Sequence, residues 1–190
     1  MRAWVDESIR VDRAPAPMYL LGASIIETEA EADIVSALRS RAPRAGKLHW
    51  RELGDRGRAG VLTLLPTLQI DHLVVIAAPL RPEIRIERAR GQCIERLLWE
   101  LALREVASVT FESRSPAQDK ADRRRVDGLR SRRLIPDELF VDWVPGVSEP
   151  LLWAPDLMLG AVGDARANCQ PVPAELAPLL TEVCLSLIHI

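Results

Sequence analysis

Cysteine, lysine and long apolar runs are all scarce in this sequence. Its three cysteines, Cys93, Cys169 and Cys184, are an odd number without a close pair, which argues against a disulfide framework and for a reducing compartment. No stretch approaches the roughly 18 uninterrupted apolar residues of a membrane span, and the N-terminus lacks the apolar core of a signal peptide. We therefore expect a soluble, cytoplasmic protein with no membrane contact.

Lysine is nearly absent, since the basic residues are 23 arginines and the two lysines Lys47 and Lys120. Arginine favours bidentate phosphate contacts, but the codon bias of a GC-rich genome is the simpler explanation, and the 14 prolines agree with it. The net charge of −2 indicates no overall attraction to nucleic acid. The basic residues concentrate locally, with seven of them in the segment 117–133.

The length of 190 residues, with 48% hydrophobic and 27% charged residues, fits one folded domain. Apolar runs predict strands over 2–6, 18–26, 70–78, 106–111 and 139–143. Helical spacing predicts helices over 28–42, 56–68, 83–105, 117–133 and 150–166. This alternation predicts a single α/β domain, with a mixed β-sheet flanked by helices.

The C-terminal segment departs from this pattern. We assign residues 1–167 to the domain and residues 168–190 to a tail, because the helical pattern gives way to proline-rich sequence. The last residues resemble translated sequencing-adapter sequence. We therefore hypothesise that non-native sequence replaces the true C-terminus from about residue 184, and we give His189 no functional weight.

Three acidic residues stand at the ends of predicted elements, where α/β proteins commonly bind ligands. Asp6 and Glu112 end two strands, and Asp156 opens the last helix. If those strands are parallel neighbours, the two carboxylates lie within about 5 Å of each other. Three carboxylates would suit Mg²⁺ or Mn²⁺ and phosphodiester cleavage, although acids at such positions are also common as solvated or capping residues.

Several segments carry a resemblance to a known family. They are Val5-Asp6-Glu7-Ser8, Lys47-Leu48-His49-Trp50-Arg51, Phe111-Glu112-Ser113-Arg114, Gln118-Asp119-x-x-Asp122 and Pro150-Leu151-Leu152-Trp153-Ala154-Pro155-Asp156-Leu157. In this order they resemble the domain of unknown function 3800 family of bacterial proteins, which is considered RNase H-like. The resemblance covers roughly residues 2–167. It implies an RNase H-like nuclease in which Asp6, Glu112 and Asp156 are catalytic and hold Mg²⁺ or Mn²⁺.

The resemblance has one clear departure. Many members have a Glu-x-Lys-Trp-like motif where this chain has Lys47-x-His49-Trp50, so an acidic ligand is missing at Lys47. Glu52 could substitute for it, or His49 could serve as a ligand or proton carrier, because imidazole titrates near neutral pH. A lone histidine beside a tryptophan is, however, more often a packed or surface residue.

Residues near the three acids could contact a substrate. We assign phosphate contacts to Arg114 and to the basic helix 117–133, including Arg123, and we assign stacking on a base to Trp50, with Trp153 as a further option. Core packing is the more common role of such tryptophans. Asp119, Asp122 and Arg123 could hold a metal-bound water or a substrate phosphate, and a solvated helix face explains them as well. Glu7 is a secondary candidate that should point to the opposite sheet face from Asp6.

Other classes of function find no support. The sequence has no phosphate-binding loop, no dinucleotide-binding glycine motif and no zinc spacing among its cysteines and histidines. We therefore expect a metal-dependent nuclease or related phosphoryl-transfer enzyme. The alternative is a non-catalytic RNase H-like module that binds nucleic acid or a protein partner, and a toxin or phage-defence role is a third option. The oligomeric state is not indicated.

Overall fold

Two long antiparallel strands lie at the centre of the sheet. In the computed structural model, which describes residues 1–11, 16–44, 46–81 and 85–186, β1 (Arg2–Arg10) pairs with β2 (Met18–Ile26). Every residue of β2 is buried. Its continuous apolar sequence suits this position, because helices cover both faces of the sheet.

The described residues form a six-stranded mixed sheet around this pair. The other strands are β3 (Ile70–Ala77), β4 (Ser108–Glu112), β5 (Phe140–Val144) and β6 (Leu180–Leu185). Their order is β5-β4-β1-β2-β3-β6. The pairs β1–β4, β4–β5 and β3–β6 are parallel, and β2–β3 is antiparallel. The mixed sheet confirms the predicted α/β class.

Helices form a layer on each face of this sheet. They are α1 (Glu31–Arg41), α2 (Asp55–Leu64), α3 (Ile86–Leu103), α4 (Pro116–Ser131) and α5 (Trp153–Ala167). Alternate strand residues point to opposite faces, so Val5 packs in the core beneath α3 and α4, whereas Trp4 packs in the core beneath α1, α2 and α5. Within the described ranges, no helix is both long and apolar enough to cross a membrane.

The structure differs from the sequence predictions at several element ends and in one additional strand. β1 continues to Arg10, beyond the predicted end at residue 6, because β2 pairs along its whole length. α3 begins at Ile86, while the predicted start of this helix at residue 83 lies outside the described residues. β6 was not predicted, and it lies within the segment that we assigned to a tail. Residues 187–190, including His189, are outside the described part of the chain.

Candidate active site

The carboxyl ends of β1 and β4 meet at one edge of the sheet, beside the first turn of α5. The parallel register pairs Val5 with Phe111, so Asp6 and Glu112 follow directly on neighbouring strands. α5 packs across β1 and carries Asp156 in its first turn. The carboxylates of Asp6, Glu112 and Asp156, which we call the acidic site, line one cavity of about 340 Å³.

Each carboxylate of the acidic site already has a partner. The backbone N–H of Glu7 donates to Oδ1 of Asp6 at 2.7 Å. Nζ of Lys47 donates to both carboxylate oxygens of Glu112, at 2.9 and 3.0 Å.

Asp156 is held by the segment that follows Lys47. The backbone N–H of Trp50 donates to its Oδ2 at 2.8 Å, and Nδ1 of His49 lies 2.7 Å from its Oδ1. The segment 47–50 therefore lies against two carboxylates of the acidic site, Glu112 and Asp156.

Asp6 lies beside two other carboxylates, those of Glu112 and Asp156. Burial raises the pKa of Asp6 well above its ordinary value, and the charges of Glu112 and Asp156 raise it further. The Glu7 N–H and the Lys47 ammonium act in the opposite direction without cancelling the rise. The three carboxylates are therefore close enough to repel one another, which is the electrostatic condition that a bound cation relieves.

Glu7 lies on the opposite face of β1 from Asp6, as the strand periodicity predicts. Its carboxylate accepts hydrogen bonds from Tyr19 Oη and from Nη1 of Arg90, the latter at 2.6 Å. Nε and Nη2 of Arg90 donate to Oδ2 of Asp122 at 3.0 and 2.7 Å. This network joins β1, β2, α3 and α4, and its members Glu7 and Arg90 also line the cavity.

The acids of α4 are not on a solvated face. Asp119 is 7% exposed and Asp122 is 3% exposed, and Asp119 accepts a hydrogen bond from the backbone N–H of Arg114 at 2.9 Å. The interpretation that these two aspartates lie on a solvated helix face is therefore wrong, because ion pairs and backbone contacts hold them inside the molecule. Arg123, in contrast, is exposed.

The proposed substrate-binding arginines lie in different places. Arg114 lines the cavity, with its guanidinium on Glu87 and Asp122. Arg123 lies over the ring of Trp143, 4.8 Å from its centroid, and is not among the described residues that line the cavity. Glu52 is exposed and is also not among them.

Trp50 is a packed residue of the site rather than an open platform. It is 4% exposed, its Nε1 donates to Oδ2 of Asp164 at 2.8 Å, and the Arg58 guanidinium lies 5.2 Å from its ring centroid. Trp153 is equally buried. The rings therefore leave little surface on which a base could stack, and Trp50 serves to hold the 47–50 segment in place.

The close packing of Trp50 on α5 yields a testable expectation. A Cβ atom at Gly160 would overlap Cβ and Cγ of Trp50, which lie too near the backbone to move aside easily. We expect Gly160→Ala to lower the free energy of unfolding by about 1–3 kcal/mol, measured by chemical denaturation.

A second helical glycine provides the matched control. At Gly128 in α4, apart from its two chain neighbours and the adjoining helix backbone, no heavy atom of the described residues lies within 4 Å of the position that a Cβ atom would take. Gly128→Ala should therefore raise the free energy of unfolding by up to about 1 kcal/mol. Equal effects of the two substitutions would contradict this account of Gly160.

Four basic residues line the cavity as described without having been assigned a role from the sequence, although Lys47 and Arg51 stand in the motif quoted above: Arg10, Lys47, Arg51 and Arg90. A signal was present for Arg90, because it lies four and seven residues before Ile94 and Leu97 on the apolar stripe of α3, where a charged residue needs a buried partner. Lys47 carried no such local signal, since its partner is Glu112 on a distant strand.

Solved structures match this architecture, although no family model and no curated protein matches the sequence. RNase HII from Archaeoglobus fulgidus, solved as a complex with PCNA, has a TM-score of 0.58 at 10% identity over 89% of this chain and 74% of that one. Ribonuclease H2 from Pyrococcus horikoshii OT3 has a TM-score of 0.54 at 9% identity over 93% and 84%. The fold is RNase H-like.

A third match extends this RNase H-like comparison. Bst-RNase HIII in complex with Mn²⁺ has a TM-score of 0.52 at 12% identity, over 90% of this chain and 57% of that one. At such identities the similarity concerns the RNase H-like fold alone. Membership of the domain of unknown function 3800 family stays a prediction.

The acidic site suits a divalent cation in the chemistry of its donors. Carboxylate oxygens are the ligands that Mg²⁺ and Mn²⁺ prefer, and Asp6 lies in the field of two further carboxylates. Across the residues that the structure describes, however, no group of three or more His, Cys, Asp or Glu side chains is arranged to hold a metal ion. The Lys47 ammonium and the backbone N–H of Trp50 would have to move away from Glu112 and Asp156 before all three carboxylates could ligate one ion.

Proposed function

We propose that this protein is a metal-dependent nuclease, or a related phosphoryl-transfer enzyme, that acts through Asp6, Glu112 and Asp156. The observation that carries this proposal is the meeting of three carboxylates at one cavity, at the carboxyl ends of β1 and β4 in an RNase H-like fold. The structural matches are ribonucleases by name, and one is a Mn²⁺ complex. They support a nucleic-acid substrate and Mg²⁺ or Mn²⁺ as the cofactor. Membership of the domain of unknown function 3800 family rests on the sequence resemblance alone.

The chain's own residues have separable roles in this proposal. A divalent cation held by the three carboxylates would supply an activated water and charge neutralisation at the phosphate. Asp156 fixes the backbone of Trp50 through a hydrogen bond, and Nδ1 of His49 lies 2.7 Å from Oδ1 of Asp156. Because His49 lines the cavity, its imidazole can carry a proton to or from the reacting oxygen.

Arginines at the cavity supply the phosphate contacts. Arg51 is exposed and lines the cavity, and Arg114 lines it from the end of β4. Planar guanidinium groups bind phosphate oxygens in bidentate fashion. Binding of nucleic acid should therefore weaken as salt is raised.

The proposal is tested with labelled RNA, DNA and RNA–DNA hybrid, each incubated with Mg²⁺, with Mn²⁺ or with EDTA. We expect cleavage of at least one substrate in the presence of metal and none with EDTA. An Asp156→Asn protein, purified in parallel, controls for contaminating nucleases and should cleave at least about 10-fold more slowly. Cleavage that survives EDTA, cleavage unchanged by Asp156→Asn, or no cleavage of any substrate would count against the proposal.

A second candidate function is a non-catalytic module that binds nucleic acid or a protein partner. It is favoured by the ion pair that already occupies Glu112 and by the lack of an assembled metal-binding group among the described residues. This candidate predicts binding without cleavage and no saturable divalent-metal binding that depends on Asp156. A metal titration of the wild-type and Asp156→Asn proteins discriminates between the two functions.

A further inference from the structure

Lys47 places a positive charge directly on the acidic site. Its Nζ lies 2.9 and 3.0 Å from the two oxygens of Glu112, and the side chains of this pair are only 22% and 23% exposed. The negative charges of Glu112, Asp6 and Asp156 all act on the ammonium. Lys47 therefore belongs to the acidic site electrostatically, although only Glu112 contacts it.

The arginines at the cavity wall have partners elsewhere. These partners are Glu7 and Asp122 for Arg90, Glu87 and Asp122 for Arg114, and Asp164 for Arg10. Arg51 is exposed to solvent. Among the described lysines and arginines, Lys47 is thus the one that forms an ion pair with a carboxylate of the acidic site.

We propose that the Lys47 ammonium is a built-in cation of the acidic site, and that a divalent metal ion has to compete with it for Glu112. The inference rests on the proposed function, because it concerns the same three carboxylates. Three carboxylates carry three negative charges, and the ammonium leaves two, which a single divalent cation balances. The ammonium therefore lowers the affinity of the acidic site for a divalent metal ion below that of the three carboxylates alone.

The first test compares Mn²⁺ binding by variants that keep or remove this charge. We expect Lys47→Met to bind Mn²⁺ at least about 10-fold more tightly than the wild type, because the competing charge is gone. Lys47→Arg keeps the charge and should stay within about threefold of the wild type. Electron paramagnetic resonance of free Mn²⁺ measures both affinities, and circular dichroism checks the fold. A purely structural tether would instead lower stability and leave Mn²⁺ affinity unchanged.

A second test needs no substitution in the site, because the chain has only two lysines, Lys47 and Lys120. Protein labelled with ¹³C-lysine, with a lysine-free tag, gives two Cε signals, and Lys120→Arg assigns them. Lys120 is exposed on α4 and serves as the internal control. We expect saturating Mg²⁺ to shift the Lys47 signal and to leave the Lys120 signal in place.

The outcomes separate this inference from the proposed function. Loss of Mn²⁺ binding in Asp6→Asn would show that the metal site exists. If Lys47→Met then binds Mn²⁺ no more tightly than the wild type, and Mg²⁺ does not shift the Lys47 signal, the inference about Lys47 fails and the metal site stands. If neither the wild type nor Lys47→Met binds Mn²⁺ and neither cleaves nucleic acid, the metal-dependent function fails, and the inference fails with it.

Discussion

Replacing Arg90 by methionine should lower the free energy of unfolding by about 3–5 kcal/mol, because it removes the cation that Glu7 and the buried Asp122 share. Asp122 is left only the longer contact with Arg114, at 3.2 Å. Arg90 is 2% exposed and Asp122 is 3% exposed, so water cannot replace the lost hydrogen bonds to Asp122. The guanidinium also holds Glu7, whose own N–H donates to Asp6. The same substitution should therefore loosen the end of β1, where the acidic site begins.

Arg96 offers a matched control on the same helix. It pairs with Glu100 four residues later, at 2.8 Å, and its side chain is 40% exposed. Exposed pairs of this kind contribute about 0–1 kcal/mol, so Arg96→Met should be close to neutral. Urea denaturation of both variants measures the difference. A loss below about 1 kcal/mol for Arg90→Met would show that the buried network does not stabilise the domain.

Most elements of the fold follow from local pattern. The continuous apolar run of β2 has the length of a strand, and the apolar stripe of α3 has the helical period, so both patterns favour the observed elements. β6 lacks such a pattern. Among the described strands it is an edge strand with a single neighbour, and none of its residues is fully buried: Thr181 and Cys184 are exposed and the other four are half-buried. Its pairing with β3 is a long-range contact that no local window of sequence contains.

The acidic site was predictable to the extent that it depends on strand ends. The parallel pairing of β1 and β4 brings Asp6 beside Glu112, and the first turn of α5 supplies Asp156, as the positions of these acids indicate. The ion pair between Lys47 and Glu112 joins residues 65 positions apart. It depends on how the segment before Trp50 lies across the sheet, which is set by the packing of Trp50 on Gly160 and by the hydrogen bonds of Trp50 to Asp156 and Asp164.

Asp6→Asn should have the largest effect on catalysis, lowering cleavage by about 100-fold or more. Asp6 is the member of the acidic site whose pKa is raised by burial and then by both other carboxylates, Glu112 and Asp156, so its charge lies in the middle of the cluster. An amide keeps the shape of the side chain and can still accept the hydrogen bond from the Glu7 N–H. The substitution therefore removes the charge and little else.

Stability should change in the opposite direction to activity. Because the folded protein raises the pKa of Asp6, the ionised carboxylate opposes folding at pH values above its unfolded pKa, and this cost disappears at low pH, where the carboxyl is protonated in both states. At neutral pH and without metal, Asp6→Asn should therefore melt at the same temperature as the wild type or higher.

The matched control for Asp6 is Asp142 on β5, which accepts a hydrogen bond from the next backbone N–H, that of Trp143, at 2.8 Å. It is not among the described residues that line the cavity. Asp142→Asn makes the same chemical change in the same local setting. It should leave cleavage within about twofold of the wild type, since Asp142 is not part of the acidic site.

If both substitutions lowered cleavage equally, or if Asp6→Asn lost activity only by unfolding, the charge of Asp6 would have no part in the reaction. If Asp6→Asn instead lost cleavage while its melting temperature stayed equal to that of the wild type or rose, the charge of Asp6 would be needed for the reaction. A higher melting temperature would also show that this charge destabilises the folded protein.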